Sequence, residues 1–194
     1  PDDLVVLHVG RIAPEKNLEP VLAAFERIRL VQPRAKLVFV GDGPARADLQ
    51  SRCPQAIFAG MRVGENLAVH YASGDLFLFP SLTETFGNVT IEAMASGLAI
   101  VAYDYAAAAE YLDHGRNGLL VGYADSAEFV RLAAALSQCP SRIKTFGSEA
   151  RQRAEQLAWG HVVEQFEMLL FAAAGAQSGV TGSAPLEVAV SANG

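Results

Sequence analysis

Short apolar runs, most of them stopped by a glycine, a proline or an acid, alternate along this chain with stretches of helical spacing, and few folds tolerate that rhythm. Leu4–Val9, apolar apart from His8, and Leu37–Val40 run without polar alternation and end at Gly10 and Gly41. An alternating run has one wet face, whereas a continuous one reads as a parallel strand buried on both faces. Ile57–Phe58, Leu76–Phe79, Leu98–Ala102 and Leu119–Val121 supply four more. Between the first two, Leu18, Val21, Leu22, Phe25 and Ile28 recur at helical spacing until Pro33 stops the pattern. Pro44–Arg52, Asn66–Ala72, Asn88–Ser96 and Asp125–Leu136 read as helices after later strands. Ser141–Glu155 and His161–Ala173, joined around Trp159-Gly160, read as two more. This order predicts an α/β fold, a Rossmann-like doubly wound parallel sheet of about six strands with helices on both faces. Residues 1–174 are expected to form that domain. Residues 175–194, rich in Gly, Ser, Ala and Val without periodicity, are expected to be a flexible tail.

Such sheets bind ligands beyond the carboxyl ends of their strands, where Gly10, Gly41, Pro80 and Asp104 lie. Behind Pro80-Ser81 comes Glu84-Thr-Phe-Gly-Asn-Val-Thr-Ile-Glu92. A glycine at a helix mouth lets backbone N–H groups close on an anion, favoured there by the helix dipole. Carboxylates accept hydrogen bonds from hydroxyls, so acids beside an anion hole suit a ligand carrying both phosphate and sugar. The competing reading is a strand–helix turn with two solvated glutamates. After the first strand, Gly10 frees the backbone to turn and Pro14 stiffens a loop carrying Arg11 and Lys16. An arginine fork and a lysine point charge together can neutralise a diphosphate without a metal; a solvated loop is the alternative. Val40-Gly-Asp-Gly-Pro lacks the full GxGxxG pattern, so a structural turn and a ligand contact stand equal there. Gly60, Met61 and Arg62 can edge a nucleobase pocket, or Arg62 can be a solvated rim residue.

Several classes are disfavoured. With 194 residues and a net charge of −6, this is one large acidic domain, a poor general nucleic-acid binder. Cys53 and Cys139 stand far apart with no CxxC spacing, as ordinary thiols of a cytoplasmic protein do. The histidines at 8, 70, 114 and 161 do not pair at ligand spacing, so no metal is expected; His8 reads as a core histidine first and a ligand contact second. No GxSxG elbow supports hydrolase chemistry. The chain starts at Pro1 rather than Met, which fits a piece of a longer protein.

Taken in order, Gly10-Arg11-x4-Lys16, Val40-Gly-Asp-Gly-Pro44, Tyr71-Ala-x-x-Asp75, Pro80-Ser-x-x-Glu84-Thr-Phe-Gly and Glu92-Ala-Met-Ala-x-Gly97 resemble the C-terminal, donor-binding domain of retaining family-four glycosyltransferases. Those enzymes have the GT-B fold, two Rossmann-like domains across a cleft. Asn117-Gly-Leu-Leu-Val and Ala158-Trp159 fit the same pattern, which runs from about Leu4 to Leu170. The resemblance implies transfer of a sugar from a nucleoside-diphosphate donor to a glycan or lipid hydroxyl, with retention and without a metal or other cofactor. It implies catalytic roles for Arg11 and Lys16 on the diphosphate and for Glu84 on the donor sugar. Gly10, Gly60, Met61, Arg62, Thr85, Phe86, Gly87, Asn88, Val89 and Glu92 would bind the donor, with Glu92 on the ribose. It further implies a missing N-terminal acceptor domain, an inactive isolated piece, and a cytoplasmic or peripheral inner-membrane setting. No acid directly flanks Gly60-Met-Arg-Val, which favours UDP over GDP as the donor base. Alternatives are a non-catalytic nucleotide-sugar-binding domain and a UDP-sugar 2-epimerase. Two departures stand out: Asp104-Tyr-Ala-Ala-Ala-Ala-Glu110 replaces a Gly-Gly pair, and Asn17, expected to cap a helix, replaces a glycine.

Overall fold

The computed structural model describes residues 3–83 and 88–157. The chain divides into two compact units, Pro1–Gln156 and Leu157–Gly194, and the architecture below is that of the first. The expected helix His161–Ala173, the boundary at 174 and the tail lie outside the described residues.

Six strands, β1 (Val5–Val9), β2 (Lys36–Val40), β3 (Ile57–Gly60), β4 (Leu76–Phe79), β5 (Ala99–Tyr103) and β6 (Leu119–Val121), form one sheet in the order β3-β2-β1-β4-β5-β6. Every pairing is parallel. The strand order reverses at β1, whose neighbours are β2 and β4. Among the described residues, seven α-helices connect and cover the strands: α1 (Glu19–Val31), α2 (Arg46–Arg52), α3 (Gly64–Ala72), α4 (Asn88–Ala95), α5 (Ala106–Tyr111), α6 (Ser126–Ser137) and α7 (Pro140–Gln156).

The unbroken apolar runs are explained by two cores. Successive side chains of a strand point to opposite faces, so Val6, Leu76 and Leu78 join Phe25 of α1 and Phe129 of α6 on one side. Leu7, Phe77 and Phe79 join Tyr71 of α3 and Met94 of α4 on the other. Val6, Leu76, Phe77 and Leu78 are fully buried, each worth about 1.5–3 kcal/mol of transfer free energy.

Three local expectations are corrected. The Asp104–Glu110 stretch, noted only as replacing a Gly-Gly pair and not counted among the expected helices, holds α5, because four consecutive alanines are the best helix formers available. The third helix begins at Gly64 rather than Asn66. Asn17 does not cap α1: the residue before that helix is Leu18, which makes no side-chain cap bond. Asn17 instead closes the short 3-10 turn Pro14–Lys16 in the left-handed region, at φ 51°.

Candidate functional site

The loops at the carboxyl ends of the first three strands are knitted through their backbones. Gly10 N–H donates to Val40 O at 2.9 Å, Ile12 N–H to Asp42 O at 2.9 Å, and Gly41 N–H to Gly60 O at 2.9 Å. Gly41 has φ 139°, and a Cβ there would stand 1.9 Å from Gly10 O; at Gly43 it would stand 2.3 Å from Ile12 O. No real contact is that close, so both positions require glycine for the chains to touch. Asp42 accepts the Gly43 N–H at 2.8 Å and faces Arg46 at 3.0 Å. The Val40–Pro44 stretch is therefore a turn held by its own backbone, and Val40 to Gly43 also line one wall of a cleft.

That cleft has a volume of about 500 Å³ and is lined by Val9, Gly10 and Arg11 of the first loop, Val40 to Gly43, and Met61, Arg62 and Leu67. It thus gathers Gly10, Arg11, Met61 and Arg62 from separate parts of the sequence, beyond the carboxyl ends of β1, β2 and β3, the end of the sheet where open parallel folds bind ligands. Arg11 pairs with Glu15 at 3.2 Å with two-thirds of its side chain exposed. A pair so exposed is worth well under about 1 kcal/mol, and its guanidinium can exchange the carboxylate for another anion.

Lys16 lies on the β4 side. Its Nζ donates to Thr83 O at 3.0 Å and to Ser81 Oγ at 3.4 Å, 5.8 Å from the Phe79 ring centre. Thr83 O also accepts from Ser81 Oγ, and Leu82 O accepts from Tyr123. The backbone leading into Glu84 is held from both sides. Glu84, Thr85, Phe86 and Gly87 themselves lie outside the described residues. Beneath the loop, His8 is fully buried, with Nδ1 3.0 Å from Leu78 O and its ring stacked on Phe79. Burial, reinforced by the nearby Lys16 charge and only partly offset by the Leu78 bond, lowers its pKa to about 4. It is neutral at pH 7, donates through Nδ1, and leaves Nε2 without a partner. The core reading of His8 is the one the structure supports.

Asn88 opens α4 and is exposed, Val89 is half-buried against the second core, and Glu92 stands one turn on. Glu92 borders a second cleft of about 330 Å³ that meets the first at Leu67. One Glu92 carboxylate oxygen accepts from the Tyr71 hydroxyl at 2.8 Å. Burial and the Glu92 carboxylate both raise the Tyr71 pKa, so the phenol stays a donor. Glu92 therefore keeps one oxygen committed and one for a ligand. Tyr71 and Leu67 escaped the sequence reading as site residues. Tyr71 was within reach, since it opens the Tyr71-Ala-x-x-Asp75 motif, but nothing in the sequence marks Leu67. The rest of that motif and Asn117 serve the scaffold. Asp75 accepts the Val5 N–H at 2.8 Å at the amino ends of the central strands β1 and β4, and buried Asn117 staples the Asp113 N–H at 2.7 Å.

Among the described residues no three His, Cys, Asp or Glu side chains are grouped to hold a metal, and no helix is long and apolar enough to cross a membrane.

The family model for glycosyl transferases group 1 matches residues 3–139. Among curated relatives, the sulfoquinovosyl transferase SQD2 of Arabidopsis thaliana is 34% identical over 164 residues, covering 82% of this chain and 31% of that protein. A GDP-mannose-dependent alpha-mannosyltransferase of Mycobacterium tuberculosis is 44% identical over 119 residues, covering 60% of this chain and 30% of its own. In structure, the sucrose-phosphate synthase of Thermosynechococcus elongatus superposes with a TM-score of 0.75 at 29% identity, over 89% of this chain and 46% of that one. The chain spans about a third of the length of the two curated relatives.

Proposed function

Since this chain belongs to the glycosyl transferases group 1 family, with the fold of the C-terminal domain of a GT-B enzyme, we propose that its cleft binds a nucleoside-diphosphate sugar and that the intact protein transfers the sugar, with retention, to an acceptor hydroxyl. The observation that carries this is the convergence of Gly10, Arg11, Met61 and Arg62 on one cleft beyond the carboxyl ends of β1, β2 and β3. Lys16 stands next to that cleft, where β1 meets β4, bonded to the residue preceding Glu84.

In this reading Met61 and Arg62 edge the base, and the free oxygen of Glu92 takes a ribose hydroxyl. By the family resemblance, Gly87, Asn88 and Val89 would bind the donor with their amides, Glu84 would contact the donor sugar, and Thr85 and Phe86 would belong to the same donor site. Arg11 and Lys16 stabilise the charge that develops on the departing diphosphate. The bond from the anomeric carbon to the phosphate oxygen breaks as the acceptor oxygen bonds on the same face. The departing phosphate takes the acceptor's proton, so no side chain need be a nucleophile. Cations already aimed at the developing charge supply the stabilisation a metal would otherwise give.

The short span relative to the relatives supports an acceptor-binding domain outside this chain, and hence donor binding with little turnover by this piece alone. Two donor bases have support. The Gly60-Met61-Arg62-Val63 loop carries no acid to read guanine, which favours UDP, whereas the mycobacterial relative is GDP-mannose-dependent. The test is calorimetric titration of the chain with UDP, GDP and ADP, then with their sugars. One diphosphate should bind, and Lys16→Ala or Arg11→Ala should weaken it about tenfold, the worth of one charge-assisted hydrogen bond. Undetectable heats for all three nucleotides would remove the proposal.

A further inference from the structure

Asn17 occupies a left-handed position, at φ 51°. Glycine would adopt that backbone with less strain, so the side chain invites another explanation. Its amide donates to Pro80 O at 3.3 Å and to the Tyr103 hydroxyl at 3.2 Å. Tyr103 ends β5 and is 2% exposed. Its hydroxyl, which accepts from Asn17, also shares a hydrogen bond with Ser126 Oγ, 3.1 Å away at the start of α6. Lys16 and Asn17, adjacent in sequence, thus grip the same short segment through Pro80 O, Ser81 Oγ and Thr83 O.

We propose that Asn17 is a positioning residue for Lys16, and that the chain Asn17–Tyr103–Ser126 fixes where the lysine charge stands relative to the β4 loop. The inference rests on the reading of Lys16 as a diphosphate-binding cation. A lysine on its four-carbon stem loses up to about 2 kcal/mol of rotamer freedom when it is immobilised. Holding its backbone on both sides of the crevice meets part of that cost before a ligand arrives. The benefit falls on the terminal phosphate, which only a diphosphate supplies. Asn17 and Tyr103 are therefore set to govern the preference for a nucleoside diphosphate over the matching monophosphate, without touching either ligand.

Calorimetry with UDP, UMP, GDP and GMP on the wild type, Asn17→Gly, Tyr103→Phe and Lys16→Ala tests this. Asn17→Gly keeps the left-handed backbone and Tyr103→Phe keeps the buried ring, so both should fold, as melting curves will verify. In each the diphosphate-to-monophosphate preference should fall about fivefold, the worth of one hydrogen bond, with monophosphate affinity unchanged. A purely structural role would lower the melting temperature and leave that ratio alone. An unchanged ratio in both variants, with Lys16→Ala abolishing the preference, overturns the positioning role while sparing the function. A preference that survives Lys16→Ala overturns the lysine assignment, and this inference falls with it.

Discussion

Acidification should reveal His8 as a stability element with a definite signature. In the unfolded chain an imidazole titrates near 6.5, whereas in the fold burial lowers His8 to about 4. Between those values the unfolded chain binds a proton that the folded chain refuses, so stability falls as pH drops through that window. At 1.36 kcal/mol per pKa unit the whole effect is about 3 kcal/mol, and between pH 7 and pH 5 linkage gives a loss of about 2 kcal/mol. The opposite class of group acts lower down. Glu19 and Glu128 are held below the usual carboxylate range by hydrogen bonds from Arg52 and Arg131. Their contributions are present above the ordinary carboxylate pKa of 4.5 and are lost below it as they protonate. Urea denaturation at pH 7 and pH 5 should be compared for the wild type and His8→Gln, which keeps an amide donor for Leu78 O but cannot titrate. The wild type should lose about 2 kcal/mol more than the variant over that interval. Parallel losses would refute the claim that a buried neutral imidazole sets the acid limb.

Two further outcomes follow from backbone geometry. Gly41→Ala would push a methyl to 1.9 Å from Gly10 O at a positive φ, and should cost roughly 2–5 kcal/mol from overpacking and left-handed strain together; a denaturation midpoint within error of wild type would contradict it. Ala106 holds φ 48° at the entrance to α5, so Ala106→Gly should relieve roughly 1–2 kcal/mol of strain against about 0.5–1 kcal/mol of added chain entropy. Calorimetry should show a melting temperature equal to wild type or a few degrees above it, and a fall would argue against strain there.

The sheet was readable from sequence because its central strands β1, β4 and β5 are buried on both faces, and continuous apolar runs such as Leu76–Phe79 have no other stable home. The site was half readable. Arg11 and Lys16 announce themselves by charge beside a strand end, and the Glu84–Glu92 segment by its glycine and acids. Asp42 and Gly41 were ambiguous, because a turn that grips its own backbone and a turn that grips a ligand use the same residues. Here the stretch grips the Gly10 backbone and lines the cleft at once. Tyr71 reaches Glu92 across 21 residues of sequence, and Asn17 reaches Tyr103 across 86. Neither pairing has a local signature. The α5 helix was missed for a simpler reason: its alanines displace the glycines that the resemblance led one to expect, and a positive φ at Ala106 hides the helix start.

The placement of β1 between β2 and β4 also dictates how the molecule must assemble. Its partner on the β4 side, exemplified by His8 beside Leu78, lies 70 residues downstream. During synthesis the β1–β2–β3 half therefore emerges with the flank of β1 unsatisfied, and closes only after the whole of β4 has been made. Such long-range parallel pairings fold slowly and expose open sheet edges while they wait. A nascent chain halted before Phe79 should accordingly be the form most dependent on chaperones, because the seam between β1 and β4 has no second side until that point.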